Sequence, residues 1–209
     1  MRGNVIRYNF FHDIQSDLEG RGYGVHAVYL DDCASGMEVF GNVFYRISGR
    51  AIMCGGGRDN LLENNVIANC GSAFFTDRRG IAWTKDEPGD SWNLREKINR
   101  VNYSQPPWSV MYPKLATIMA NGYEKAKEPE GNLIRNNIGW QNEKWLEENC
   151  LGACDGFDFY TIDHNIENQD PLFVNEEELD LSLKAESPAY GLAGFRRIPF
   201  ERIGLLKDK

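Results

Sequence analysis

Short apolar stretches recur along this chain, each flanked by asparagine and glycine. The pattern opens as Gly3-Asn4-Val5-Ile6-Arg7-Tyr8-Asn9-Phe10-Phe11 and returns as Met37-Glu38-Val39-Phe40-Gly41-Asn42-Val43-Phe44. It follows again as Asp59-Asn60-Leu61-Leu62-Glu63-Asn64-Asn65-Val66-Ile67, then as Gly131-Asn132-Leu133-Ile134-Arg135-Asn136-Asn137-Ile138, and more faintly as Thr161-Ile162-Asp163-His164-Asn165-Ile166. The apolar pieces are too brief and too rich in Val, Ile and Phe for helices, and they read as strands. Asn tolerates left-handed backbone geometry, and its amide can bond along the chain and to an Asn stacked above it.

A second alignment links Ala27-Val28-Tyr29-Leu30-Asp31-Asp32 to Ala51-Ile52-Met53-Cys54-Gly55-Gly56 and to Ala73-Phe74-Phe75-Thr76-Asp77-Arg78, at offsets of 24 and 22 residues. Period-two alternation turns Val28, Ile52 and Phe74 inward, with Leu30, Cys54 and Thr76 beside them. Tyr29, Met53 and Phe75 then face outward, as do Asp31, Gly55 and Asp77. A one-residue slip would invert the faces. Repeats of this length predict an all-β solenoid: a right-handed parallel β-helix with a partly helical insertion and a C-terminal capping tail. The competing arrangement, asparagine-rich turns in an antiparallel β protein, needs successive two-residue hairpin loops, and these are largely missing.

The whole chain reads as one domain. Residues 1–77 form coils, 78–130 the insertion, 131–169 further coils and 170–209 the cap. Ser91 as a cap and apolar spacing from Trp92 to Val101 predict one helix in the insertion, and Tyr112 to Met119 a second. Trp83, Trp92, Trp108 and Tyr112 make this segment aromatic, suited to packing a lid or to stacking on sugar rings. The tail from Asp170-Pro171 through Ser187-Pro188-Ala189 is a natural cover for an exposed end. The sequence opens in mid-repeat, so upstream coils are expected outside it, and the chain is expected to be the C-terminal part of a longer β-helix.

Composition narrows the partners. A net charge of −8 argues against nucleic acid, and no apolar run is long enough to span a bilayer. Met1-Arg2-Gly3-Asn4 carries no signal-peptide pattern. Five cysteines at uneven spacing form no disulfide framework; Cys150 and Cys154 with His164 make a weak zinc signal, so no metal is assigned. Gly55-Gly56-Gly57 is not followed by the helix and Lys-Ser/Thr of a phosphate loop, and reads as a tight turn.

Candidate chemistry gathers on one edge. Strands stack at about 4.8 Å, which puts Asp31 and Asp77 about 9.6 Å apart with Gly55 between them. That is near the separation of about 6.5–9.5 Å that inverting glycosidases use to hold a water. Asp32 and Asp59 are alternatives for the same role. Each of these aspartates also suits a turn, where the carboxylate caps backbone amides. Arg58, Arg78 and Arg79 would hold substrate hydroxyls or a uronate carboxylate, with Tyr29 as a stacking platform and Trp83 beside it. His26 is a candidate acid or base, with a packed histidine as the preferred reading; His12-Asp13 has weaker support.

The segments Gly24 to Asp32, Gly55 to Asn60 and Asp77-Arg78-Arg79-Gly80, with Pro106-Pro107-Trp108, Tyr112-Pro113 and the Asp170-Pro171 to Ala189 tail, resemble the right-handed parallel β-helix repeat proteins of bacterial polysaccharide degradation. The resemblance implies a polysaccharide or oligosaccharide substrate and a secreted or periplasmic location. It implies a glycoside hydrolase without a cofactor, with a polysaccharide lyase using Ca²⁺, or a non-catalytic glycan-binding module, as alternatives. In the lyase case His26, Arg58 and Arg78 would matter more than the aspartates.

Overall fold

The computed structural model describes residues 2–16, 24–84, 92–149 and 156–204. The chain lays down strands in groups of three. The first group is β1 (Val5–Arg7), β2 (Phe10–Ile14) and β3 (His26–Leu30), and the second is β4 (Glu38–Phe40), β5 (Val43–Ile47) and β6 (Arg50–Gly55). The third is β7 (Leu61–Glu63), β8 (Val66–Ala68) and β9 (Ser72–Asp77). A helical segment follows, with α1 (Arg79–Trp83), α2 (Leu94–Arg100), α3 (Trp108–Met111), α4 (Pro113–Ala116) and α5 (Tyr123–Ala126). Then come β10 (Asn132–Arg135), β11 (Ile138–Trp140), β12 (Lys144–Asn149), β13 (Tyr160–Asp163), β14 (Phe173–Asn175) and β15 (Asp180–Leu183).

Equivalent members of each group pair in parallel. Sheet A has the order β1-β4-β7-β10-β13, sheet B β11-β8-β5-β2 and sheet C β12-β9-β6-β3, while β14 and β15 form a separate antiparallel pair. Three stacked parallel sheets accompanied by helices are an α/β-like arrangement, and the expected class, an all-β right-handed β-helix solenoid, is corrected to this. The partly helical insertion is part of that expectation; what overturns the class is the arrangement of the strands in several parallel sheets together with the helices. Residues 79–126 place Leu94, Ile98 and Val101 at helical spacing, and proline starts α4 at a position where its missing N–H costs nothing. Ser91, Cys150 and Cys154 lie outside the described residues.

One core joins the sheets. Val39, Leu62 and Ile134 from sheet A, Phe44 and Ile67 from sheet B, and Val28, Ile52 and Phe74 from sheet C pack together, nearly all without solvent contact. Val28, Ile52 and Phe74 are register partners, as are Tyr29, Met53 and Phe75, so the offsets of 24 and 22 residues are the pairing register of sheet C. β12 adds Leu146 to this row; its polar sequence, Lys-Trp-Leu-Glu-Glu-Asn, hid it from the apolar pattern. Sheet B is covered on its other face as well. There Val43, Tyr45, Val66 and Ala68 meet Phe173, Leu181, Ala189 and Ile198 of the tail. The tail therefore lies along sheet B.

The asparagines form a ladder through the interior. Asn9, Asn42, Asn65 and Asn137 each donate a backbone N–H to the side-chain oxygen of the next, ending on Asn165, at 2.9–3.0 Å. Their side-chain amides donate to the same oxygens, and those of Asn42, Asn65, Asn137 and Asn165 also donate to the carbonyls of Ile6, Val39, Leu62 and Ile134. The left-handed backbone expected at these residues sits one position earlier, at Tyr8, Gly41, Asn64, Asn136 and His164. That bend turns the chain from sheet A to sheet B and frees the next side chain to point inward along the ladder.

Candidate functional site

β9 ends at Asp77 and the chain turns at once into α1, which drops Arg79 back over the end of sheet C. Asp77 and Arg79 are both almost completely buried. Arg79 grips Asp77 with Nε on Oδ1 at 2.9 Å and Nη2 on Oδ2 at 2.6 Å, a bidentate pair of the stronger kind. Its Nη1 donates to Tyr29 Oη at 2.9 Å, to Asp31 Oδ1 at 2.5 Å and to Asp32 Oδ1 at 3.3 Å. Burial works against the guanidinium charge, but Asp77 and Tyr29 outweigh it and raise the Arg79 pKa. Partial burial also works to raise the Asp31 carboxyl. Hydrogen bonds from Tyr29 and the Asp32 amide, with the Arg79 charge, prevail and hold it below the usual carboxylate range.

Gly55, the register partner of Asp77, lies under this guanidinium. The open, water-sized gap expected between Asp31 and Asp77 is occupied: a Cβ on Gly55 would stand 2.5 Å from Arg79 Cζ. The two carboxylates share a cation where a water was expected. Gly55→Ala should dislodge Arg79 and lower stability by about 1–3 kcal/mol, the usual range for overpacking. The same substitution should cost much less in an Arg79→Met background, as thermal unfolding of the three variants would show.

The cluster reaches solvent on one side. Asp31 and Asp32 have half or more of their side-chain area exposed, at 51% and 61%. Tyr29 and Trp83 are among the exposed large side chains, and the Arg79 guanidinium lies within 5.5 Å and 4.8 Å of their ring centres. Trp92 stands 6.1 Å from Trp83. One buried cation thus organises two exposed rings and two exposed carboxylates.

The other sequence candidates fall elsewhere. Asp59 is largely buried and pairs with Arg2 at 2.9 Å and with Arg58 at 3.6 Å. Arg58 donates to the Ala126 carbonyl and to Glu130, bracing the chain as it returns from the helices. Arg78 lies over the Phe159 ring at 5.5 Å. His26 packs edge-to-face on Tyr29, and burial, helped by the Arg50 charge, pushes its pKa down toward a neutral ring. Cys33 lines the base of the helical segment, and burial pushes its thiol up to about 11. It is therefore no thiolate nucleophile near neutrality.

Sequence reasoning missed the brace on the outer face of sheet C. Arg50 pairs with Glu147 through two bonds, Ser72 donates to the same carboxylate, and the guanidinium lies 3.6 Å from the Phe75 ring centre. Arg50 also contacts the Met53 sulfur. This explains why Met53 and Phe75, although outward, are buried while Tyr29 is open. No helix among the described residues is long and apolar enough to cross a membrane.

Comparison with known proteins adds no assignment: no family model, curated protein or solved structure matches the chain.

Proposed function

We propose that the surface formed by Tyr29, Trp83, Asp31 and Asp32 binds a glycan. Supporting this is one observation: two exposed aromatic rings flank a pair of exposed carboxylates whose positions are set by a buried guanidinium. Aromatic faces stack on the C–H faces of sugar rings, and carboxylates accept hydrogen bonds from vicinal hydroxyls. Prior anchoring of the acids and rings by Arg79 reduces the ordering cost of binding.

Hydrolysis by Asp31 and Asp77 is less favoured by this geometry. Both Asp77 oxygens are engaged by Arg79, and the Asp31 carboxyl is held in its ionised form, suited to accepting a hydrogen bond and poorly suited to donating a proton. A uronate lyase at this surface would need a free cation, whereas Arg79 is already paired with Asp77.

A glycan array followed by titration calorimetry on the best ligand provides the test. Tyr29→Ala and Trp83→Ala should each weaken binding about tenfold, equivalent to about 1.4 kcal/mol. Because Asp31 has a depressed pKa, its contribution is present above the ordinary aspartate pKa and fades as pH falls through the lower, folded-state value. Binding should therefore persist at pH 5. Absence of binding to neutral, acidic and amino-sugar glycans alike, or unchanged affinity in both variants, would overturn the proposal. Release of reducing ends that disappears in Asp31→Asn would replace binding with hydrolysis.

A further inference from the structure

A cavity of about 380 Å³ lies between the helical segment and the turns that follow β3 and β6. Its walls are apolar: Leu94 and Ile98 from α2, Leu115 from α4, Ile118, and the rings of Trp108 and Tyr123. This volume falls in the range of about 300–1,000 Å³ common to small-molecule sites, which pair apolar walls with a few fixed polar groups.

The polar groups lining it are unbalanced. Arg2, Arg58, Lys97 and Lys127 face the cavity with only Asp32 and Glu128 as acids, a local excess of positive charge in a chain whose net charge is −8. Most of these cations have partners: Arg2 pairs with Asp59 and Lys127 with Glu124. Arg58 is incompletely satisfied. Its buried Nε has no hydrogen-bond partner, and the nearest carboxylate oxygen, on Asp59, is 3.6 Å away. That ion pair is too long for a hydrogen bond, so the donor is only partly compensated. Lys97 is exposed on α2 at the same cavity.

We propose that this cavity binds a small amphipathic carboxylate, with its hydrocarbon or aromatic body against the apolar walls and its carboxylate engaging Arg58 and Lys97. The apolar lining alone would accept any hydrophobic molecule of suitable size. The basic side chains of the lining, Lys97 and Arg58 among them, select an anionic one. The site is separate from the Tyr29–Trp83 surface and meets it only at Asp32, so the two proposals stand or fall independently.

Titration of the full chain with decanoate, below its micelle concentration, tests the proposal, with 1-decanol as the uncharged comparison. Saturable one-to-one binding of decanoate, at least tenfold tighter than that of decanol, is expected. Lys97→Gln, at an exposed position, should weaken decanoate several-fold and leave decanol unchanged. Ala126→Phe, which fills the cavity from α5, should abolish both. Tyr29→Ala should leave both intact. No binding of decanoate to the folded chain, equal affinity for decanoate and decanol, or unchanged binding in Ala126→Phe would each overturn it.

Discussion

Asn65→Ala should be among the most damaging single substitutions in the chain, lowering stability by about 2–4 kcal/mol. Asn65 has no solvent contact, and its side chain serves three neighbours at once. Its oxygen accepts from the backbone N–H and the side-chain amide of Asn42, and its amide donates to the Val39 carbonyl and the Asn137 oxygen. Alanine leaves the Asn42 N–H buried and unpaired, at about 1–3 kcal/mol, takes the second donor from the Val39 carbonyl, which the sheet A ladder still serves, and adds a small cavity. Asn9→Ala provides the control. At the more exposed end of the ladder it removes fewer bonds, and it should cost about 1 kcal/mol. Urea unfolding of both variants checks the contrast; equal losses would show that the ladder is not a buried network whose inner members depend on one another.

Arg79→Met is the second large effect. It removes the cation from a buried pair and leaves Asp77 enclosed without a counter-charge, which costs about 3–5 kcal/mol. For a chain of this size that corresponds to a fall in melting temperature of about 10 °C. Replacing both partners, as Arg79→Met with Asp77→Leu, should recover at least half of the loss, because well-packed apolar residues tolerate such a site better than a lone charge. The double-mutant cycle isolates the coupling between the two. Additive losses would mean that the pair contributes little and that Arg79 acts through its contacts with Tyr29 and Asp31 alone.

Much of the sheet register was readable in the sequence, and for a physical reason. Strand pairing in parallel rows places chemically similar residues over one another, so Val28, Ile52 and Phe74 could be aligned by their spacing before any coordinates were known. The class drawn from that register was too simple: helices were expected at Trp92–Val101 and Tyr112–Met119, and α2 and α4 lie within those ranges, but the strands form several parallel sheets in an α/β-like arrangement. β12 was missed because Lys144, Glu147 and Glu148 interrupt its apolar pattern. The site was half legible: of the residues expected on one edge, Asp31, Asp32, Asp77 and Arg79 meet beside Tyr29, whereas Arg58, Asp59 and Arg78 have other partners. Their relation was not legible. The space above a glycine looks empty in a sequence, and only the turn from β9 into α1 reveals that a side chain two residues further on fills it.

The strand pairs on either side of the helical segment have a further consequence. Leu62 pairs with Ile134, Val66 with Ile138 and Phe74 with Leu146, each at a spacing of 72 residues. The asparagine bonds Asn60 to Asn132, Asn65 to Asn137 and Cys70 to Asn142 keep the same spacing. The sheets therefore close over the helical segment without losing register, as cloth is rejoined around a pocket. What the pocket holds can be redrawn, in length or in lining, while the weave beneath it stays the same.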